Sequence, residues 1–299
     1  MEEAADFSPC LIINVVVNFF SCYTTIMLNI ALIFALRRSS SLPKTLKALI
    51  HSLTVSDLGI GLVAQPLYIA HMLMQIPQTD DKATSKDIDR ALRLIGRTLG
   101  YASFFGVTAI SVDRFVAIHL HLKHQELLTY QEFVTYKRVV AAVILSWILS
   151  ACLALTDVLS SKNVSDLVGM TVGFVCLLTM ALIYFNISTV VRRHNVRVNA
   201  QPAQAVAQNE ESHSNFERLR KTAVGTFYVY LLILACYLPM TIVILTGRQK
   251  NLLIYARTLL YLSSSLVPLV YCWKFRHIRC AIKNILRDIF ASQNQIQQG

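Results

Sequence analysis

The chain alternates long uncharged stretches with short basic segments, and this pattern constrains its fold more than any other feature. No Asp, Glu, Lys or Arg occurs in residues 7–36, 139–156, 167–191 or 222–247. A helix needs about 20 mostly apolar residues to cross the roughly 30 Å of hydrocarbon in a bilayer. Seven segments satisfy that requirement: 11–36, 46–73, 91–118, 139–157, 167–191, 222–246 and 252–273.

The composition favours helices over a barrel. Only 15% of the residues are charged, against about 25% in a typical soluble domain. Lipid admits only helices and closed barrels, and barrel strands alternate apolar with polar residues. The apolar runs here are continuous, so we predict an all-α membrane protein: a seven-transmembrane helix bundle over residues 11–273 that follows an extracellular N-terminus, 1–10.

The basic residues predict how the bundle is oriented. With the N-terminus outside, eighteen of the 28 Lys and Arg residues fall in cytoplasmic segments, as the positive-inside rule requires. The first ten residues contain Glu2, Glu3 and Asp6 and no basic residue. We therefore expect a multi-pass protein of the plasma membrane with its N-terminus outside. The net charge of +11 reflects this topology and does not indicate a nucleic-acid partner.

Two segments carry possible modification sites. Residues 274–290 alternate apolar and basic residues at helical spacing, which predicts an amphipathic interfacial helix on the membrane lipids, followed by a cytoplasmic tail, 291–299. Within that helix, Cys280 is either palmitoylated or a plain buried thiol. Asn163 begins an Asn-Val-Ser glycosylation pattern in the second external loop, about 158–166.

Polar residues and prolines interrupt the apolar runs. Pro239 and Pro268 each remove a backbone hydrogen bond in mid-helix and predict kinks. Asp57 is the only Asp, Glu, Lys or Arg in residues 48–79, so it requires polar partners from elsewhere. The candidates for this intramembrane polar network are Asn29, Ser103 and the serine run that begins at Ser263. A purely structural hydrogen-bonded carboxyl is the alternative.

An Asp-Arg pair stands where the third apolar run meets a basic loop, namely Asp113-Arg114-Phe115. Together with the residues above, it resembles the Asp-Arg-Tyr motif of the rhodopsin-like (class A) G-protein-coupled receptors. The resemblance implies that Asp113 holds Arg114 at rest and that Arg114 engages a heterotrimeric G protein in the active state. Leu122 resembles the apolar loop residue that inserts into the G protein.

The resemblance extends to the other helices. Tyr184 and Tyr271 resemble the two tyrosines that move toward the arginine on activation. Cys236-Tyr237-Leu238-Pro239 resembles the Cys-Trp-x-Pro switch beneath the ligand pocket, with Tyr237 in place of tryptophan. The missing disulfide, the very short second external loop and a fifth helix without proline are weakly similar to the melanocortin, lysophospholipid, cannabinoid and adenosine group.

Two departures from the family pattern alter what is expected. Val267 replaces the usual Asn before Pro268, which removes a ligand from the family's sodium site around Asp57, so no cofactor is predicted. Leu219 stands where many members carry a glutamate that locks the arginine. We therefore expect appreciable basal signalling.

Arginines at the outer end of the third helix suggest the ligand. Arg90, Arg93 and Arg97 share one helical face, which continues through Tyr101. By the geometry of the family, Arg93, Arg97 and Arg257 look into the ligand cavity, and Tyr261 lies on the face of Arg257. Because guanidinium groups bind carboxylates and phosphates through paired hydrogen bonds, we predict an anionic ligand: a lipid phosphate, a carboxylate or an acidic peptide.

Alternatives remain at each level. The arginines can instead snorkel to head groups or pair with Asp87 and Asp89. A transporter or channel is the alternative to a receptor, because polar residues inside helices also line conduction paths. No nucleophile–base pair at mid-depth indicates an enzyme. His119, His121 and His124 lack Cys or acidic partners at ligand spacing, so no metal site is predicted.

Overall fold

The computed structural model describes residues 2–39, 42–74, 82–122, 136–199, 210–247, 250–276, 278–284 and 287. Within these residues, seven helices are long and apolar enough to cross a membrane, which confirms the predicted bundle. They are α1 (Glu2–Arg38), α2 (Lys44–Leu73), α3 (Lys82–Leu122), α4 (Tyr136–Leu159), α5 (Lys162–Asn199), α6 (Glu210–Thr246) and α7 (Lys250–Lys274).

Helix α3 occupies the centre of the bundle, where it packs against α2, α4, α5 and α6. Helix α7 closes the ring, because it packs against both α1 and α6. We call the end that carries Leu73 and Leu252 the outer end, and the end that carries Arg38 and Lys274 the inner end. Large apolar side chains such as Phe19, Leu145 and Phe185 are exposed around the circumference, as expected of a lipid-facing surface.

Helix α2 contains one irregular turn. Its backbone is π-helical from Ile60 to Ala64, and the α-helix continues to Leu73. A Cβ atom on Gly61 would lie 3.0 Å from Cγ2 of Thr25, so glycine allows α1 and α2 to approach closely here. The extra residue in this turn changes which side chains of α2 face the core, and Gln65 just beyond it is completely buried.

One face of α1 is polar along most of the membrane, and we call it the α1 polar seam. Its residues are all buried: Asn14, Asn18, Ser21, Thr25 and Asn29. The Thr258 hydroxyl of α7 donates to Asn14 Oδ1 at 2.6 Å and accepts from Asn18 Nδ2 at 2.9 Å. Gln65 Nε2 donates to the Ser21 hydroxyl at 3.0 Å. The seam thus joins α1 to both α2 and α7.

Helical backbone resumes after α7. Residues 278–284 are helical, and Ile278 and Ala281 are buried against the bundle, whereas Cys280 is an exposed free thiol. This segment has the two-sided character expected of the amphipathic helix. Its contact with a membrane surface and any lipid on Cys280 stay predictions, and residues 291–299 lie outside the described part of the chain.

Candidate ligand-binding and coupling sites

A cavity of about 500 Å³ opens between α2, α3, α5, α6 and α7 in the outer half of the bundle. Its volume is typical of small-molecule sites. All five residues predicted to contact a ligand line its wall: Arg93, Arg97, Tyr101, Arg257 and Tyr261. Apolar residues including Leu92, Met170 and Ile244 complete the wall, so the cavity combines cationic groups with a largely apolar surface.

Arg97 joins two helices across this cavity. Its Nη1 donates to the carbonyl oxygen of Ser165 at 2.8 Å, and its Nη2 donates to Oδ1 of Asp166 at 2.9 Å. The guanidinium also lies against Gly169, where a Cβ atom would come within 3.0 Å of Nη1. Ser165 and Asp166 were expected in the second external loop, but α5 already begins at Lys162, so both belong to the helix.

Arg93 pairs within its own helix. It forms an ion pair with Asp89, one turn earlier on α3, while it still lines the cavity. Arg90 lies 3.6 Å from Asp87, and both of these side chains are largely exposed. Pairing with Asp87 and Asp89, the alternative predicted from the sequence, is therefore found for Arg90 and Arg93. Arg97 instead pairs with Asp166, which the sequence analysis did not consider.

Arg257 has an aromatic neighbour. Its guanidinium carbon lies 5.6 Å from the ring centroid of Tyr68, within the range of a cation–π interaction. The Tyr68 ring meets Tyr261 edge-on at 5.3 Å, and its hydroxyl donates to the Ile254 carbonyl. Among the described residues no carboxylate pairs with Arg257, so its paired N–H groups are available to a bound anion.

Tyr237 lies at the floor of the cavity and connects α6 to α5. Its hydroxyl donates to the carbonyl oxygen of Gly169 at 3.0 Å, and its ring meets Phe104 edge-on at 5.0 Å. A Cβ atom on Gly173 would overlap the Tyr237 hydroxyl and ring. Gly173 therefore provides the space that this tyrosine occupies, and the two residues depend on one another.

The polar network at mid-depth is assembled partly as predicted. The Ser103 hydroxyl donates to Asp57 Oδ1 at 3.2 Å. Asn29 Nδ2 donates to the Ser264 carbonyl at 3.1 Å, and the Ser264 side chain lies beside the Asp57 carboxyl group. The Ser263 hydroxyl instead donates to the Leu260 carbonyl at 2.6 Å within α7. Helical rotation thus places Ser264, and not Ser263, in the network.

At the inner end, Arg114 is paired with its neighbour in sequence. Its Nε donates to Asp113 Oδ2 at 2.9 Å, and one of its terminal nitrogens contacts the same oxygen. Arg114 is only 1% exposed, and Asp113 is also buried. The neighbouring Phe115 ring stacks on His119. Within the part of the chain that the structure describes, no ion pair joins Arg114 to α6.

Both predicted switch tyrosines are buried near this pair. The Tyr184 hydroxyl forms a hydrogen bond of 3.0 Å with the Ser111 hydroxyl. The Tyr271 hydroxyl has no hydrogen-bond partner among the described residues. The Tyr271 ring packs against the Phe275 ring, with 5.5 Å between the ring centroids. A buried hydroxyl without a partner is unfavourable, so Tyr271 would gain stability from any movement that supplied one.

The structure describes the remaining predicted positions only in part. Pro239 and Pro268 lie inside α6 and α7. Leu122 ends α3 and Asn163 lies in the first turn of α5, but their side chains fall outside the described residues, as do His121 and His124. A search of the described residues finds no group of three His, Cys, Asp or Glu that could hold a metal ion.

Asp166 and Gly173 are two of the residues of this site that the sequence analysis missed, as are Tyr68 and Gly169. Asp166 directly precedes an uncharged run of 25 residues, and a carboxylate at the mouth of a membrane helix signals function. No comparable sequence signal identifies Gly173, because its importance depends on the tyrosine that α6 places beside it.

Comparison with known proteins shows a similarity to one receptor family. Residues 28–166 match the family model described as "7 transmembrane receptor (rhodopsin family)". The chain is 25% identical to the adenosine receptor A3 of Ovis aries over 281 residues, which cover 84% of this chain and 82% of that receptor. It is 30% identical to the Homo sapiens histamine H1 receptor over 147 residues, which cover 48% of this chain and 27% of that receptor.

Proposed function

We propose that this chain is a divergent member of the rhodopsin-like (class A) receptor family, that it binds an anionic extracellular ligand and that it activates a heterotrimeric G protein. The observation that carries this proposal is the cavity beside three guanidinium groups, with Tyr237 at its floor. We propose that the protein lies in the plasma membrane with its N-terminus outside. In this orientation Asn163 is on the outer side and would be open to glycosylation. The proposal assigns no enzymatic activity and no cofactor.

The charges of the cavity support an anion. Arg93 and Arg97 are already paired with Asp89 and Asp166, whereas Arg257 lies over the Tyr68 ring and forms no ion pair with a described residue. Three guanidinium groups and two carboxylates leave one net positive charge among the charged Asp and Arg side chains that line the cavity. We infer that Arg257 makes the first contact with the anionic group, and that Arg97 exchanges Asp166 for the ligand during activation.

The shape of the cavity limits the class of anion. Its volume accommodates a molecule of drug size, and its apolar wall would cover a hydrocarbon or aromatic portion. A lipid phosphate, an aromatic carboxylate or the end of an acidic peptide satisfies both requirements. The adenosine receptor A3 suggests one further class, a phosphorylated nucleoside. Gly96 lies in the wall where the family's amine receptors carry an aspartate, which disfavours a histamine-like cation.

A route from the cavity to the inner end follows from the contacts. A ligand that displaces Asp166 from Arg97 would release the outer part of α5, and Gly169 on that helix holds the Tyr237 hydroxyl. Tyr237 lies two residues before Pro239, where a missing hydrogen bond makes α6 easier to bend. Bending would open the inner end, so that Arg114 could exchange Asp113 for the G protein, with Leu122 beside it.

The unliganded protein should signal to an appreciable extent. Leu219, which is partly buried against the apolar core, cannot form the ion pair that a glutamate would provide. Arg114 can therefore leave Asp113 without breaking an ion pair between helices. Guanine-nucleotide exchange measured without ligand across a panel of G proteins tests this expectation, and silence with every G protein would contradict it.

The experiment for the ligand site compares two arginines of equal charge. Purified protein is screened for G-protein nucleotide exchange with lysophospholipids, aromatic carboxylates, acidic peptides, and the pair adenosine and adenosine monophosphate. Arg257→Ala should raise the half-maximal concentration of an anionic agonist at least tenfold, because one charge-assisted contact contributes about 1.5–3 kcal/mol. Arg90→Ala, outside the cavity wall, is the matched control. Equal potency in both variants would exclude the proposed contact.

Transport remains the second candidate, and the α1 polar seam is the observation that favours it. Buried atoms in and beside the seam lack partners among the described residues, including Asn18 Oδ1, Asn29 Oδ1 and Asp57 Oδ2. Buried polar groups of this kind also line conduction paths. Reconstitution into liposomes separates the two functions, because ion or solute flux without nucleotide exchange would indicate transport.

A further inference from the structure

The wall of the outer cavity contains a histidine. His71 lies in the last turn of α2, its side chain is partly buried, and it lines the cavity together with Arg257. Histidine is the side chain whose ordinary pKa, about 6.5, places its change of charge close to neutral pH. The cavity therefore contains a group whose charge can follow the acidity of the solution at the outer end.

Charged groups of two other helices face His71. Asp89 and Arg93 of α3 and Arg257 of α7 are near enough to interact with its ring electrostatically. On its own helix Tyr68 lies one turn earlier, and the described side chains at the outer end of α1 carry no charge. Arg93 is already paired with Asp89. Arg257 is therefore the neighbour whose charge no described carboxylate balances.

Tyr68 brings His71 and Arg257 to the same part of the cavity. The Arg257 guanidinium carbon lies 5.6 Å from the Tyr68 ring centroid, and His71 follows Tyr68 by three residues, which places both side chains on one face of α2. An anion held by Arg257 would therefore lie close to the imidazole. Two positive groups repel each other and an anion between them attracts both, so anion binding and protonation of His71 favour each other.

We propose that a proton is a second ligand of this cavity: His71 takes up a proton as an anion binds to Arg257, so that the two ligands bind together. The inference rests on the proposed function, because it concerns the same cavity and the same class of ligand. Linkage makes the effect reciprocal, so acid strengthens anion binding by the factor by which the anion strengthens proton binding. A neighbouring opposite charge changes proton affinity by about ten- to thousandfold, and we expect about tenfold here.

Calorimetric titration of the purified full chain with naphthalene-2-sulfonate tests this proposal. The sulfonate stays ionised between pH 5.5 and pH 7.5, and so do carboxylates of ordinary pKa, so a change of affinity in this range reports a basic group. Binding should be about tenfold tighter at pH 5.5 than at pH 7.5. Titrations in buffers of different ionisation enthalpy should show a net uptake of up to one proton per sulfonate. The neutral naphthalene-2-sulfonamide should show neither effect.

Three variants assign the proton to His71. His71→Gln keeps a polar side chain that does not titrate, so it should lose both the pH dependence and the proton uptake. His71→Lys is positive at both pH values and should bind the sulfonate tightly at each. His51→Gln, on the inner part of the same helix, is the matched control and should behave like the unaltered protein. Unchanged thermal unfolding of each variant shows that the fold is retained.

The proposal is overturned if the unaltered protein binds the sulfonate equally at both pH values, if His71→Gln retains the pH dependence, or if the sulfonate binds at neither pH. Failure of the proposed function is a separate result, because binding and proton uptake are measured without a G protein. An anion that binds with proton uptake but promotes no nucleotide exchange would refute receptor activity alone.

Discussion

The two ends of α3 each carry a paired arginine, but the pairs have different consequences. At the outer end, Arg97 reaches α5 and binds Asp166 and the Ser165 carbonyl. At the inner end, Arg114 binds Asp113, its neighbour on the same helix. Separation of the outer helices therefore breaks an ion pair, whereas the described part of the inner end has no ion pair between Arg114 and another helix. A bundle built in this way is held at the outer end and is more permissive at the inner end.

Other contacts hold the inner end together. Lys274 Nζ lies 3.8 Å from the Tyr228 ring centroid and 3.6 Å from that of Trp273, which links α6 to α7. A Cβ atom on Gly225 would lie 2.8 Å from the Phe275 ring, so this glycine lets the two helices meet. Cation–π contacts at exposed positions contribute only about 0.5–1 kcal/mol, which is consistent with an end that opens readily.

The largest effect is expected from the inner pair. Arg114→Ala should abolish G-protein nucleotide exchange, because it removes the group that we propose contacts the G protein. It should also lower the free energy of unfolding by about 3 kcal/mol, since the buried Asp113 carboxylate loses its partner. Nucleotide exchange and thermal unfolding measure the two effects. The double variant Arg114→Ala, Asp113→Asn should regain stability but not exchange; recovered exchange would remove Arg114 from the coupling role.

The second-largest effect is expected at the contact between Gly173 and Tyr237 on the cavity floor. Gly173→Ala places a methyl group where the Tyr237 ring lies, and overpacking of this kind costs about 1–3 kcal/mol. We expect reduced thermal stability and altered basal exchange, because Tyr237 must leave its hydrogen bond to Gly169. Gly100→Ala is the matched control on α3, where a Cβ atom meets nothing within 4 Å. Equal effects of the two substitutions would disprove the dependence of Tyr237 on Gly173.

A double-mutant cycle measures the coupling energy of the ion pair between Arg97 and Asp166. Arg97→Ala, Asp166→Ala and their combination should give a coupling energy of about 1 kcal/mol in unfolding, because the two side chains are about one quarter exposed and solvent weakens such pairs. Asp166→Ala alone should raise basal exchange if the outer pair restrains activation. Additive effects on stability, together with unchanged exchange, would show that the pair does not hold α3 to α5.

The smallest effect is expected at the contact between α6 and α7. Lys274→Met preserves the length of the side chain and removes its charge, so unfolding should change by only about 0.5 kcal/mol. Basal nucleotide exchange should nevertheless rise, because less interaction opposes the separation of these helices. Lys283→Met, on the following helical segment, controls for the loss of a cytoplasmic charge. A decrease in basal exchange would mean that Lys274 serves the active state instead.

The fold could be predicted from the sequence because a lipid environment admits only helices and closed barrels. The seven apolar segments predicted the seven helices, and the spacing of Arg93, Arg97 and Tyr101 predicted a common face that does line the cavity. Helix ends were less predictable. Asp166 was read as part of a loop because a charge next to an apolar run can either end a helix or lie within it.

Contacts between helices were the least predictable features. The choice between Ser263 and Ser264 depends on the rotation of α7 by one residue, about 100°, which no local pattern determines. The inner-end groove between α1, α2 and α4 requires three helices to be placed together, and its basic residues Arg37, Lys44 and Lys47 were assigned only a topological role. Glycine is required at position 173 because of Tyr237, which lies 64 positions later in the chain. Such features follow from assembly and not from local sequence.

The α1 polar seam has a consequence for biosynthesis. Asn14, Asn18 and Asn29 find their hydrogen-bond partners on α7, at Thr258 and Ser264, more than 230 positions later in the chain. Because α1 is synthesised before α7, its amides gain these hydrogen bonds only after α7 has been made. Nascent chains that stop before α7 would expose these amides to lipid, which gives quality control in the cell a means to recognise incomplete copies.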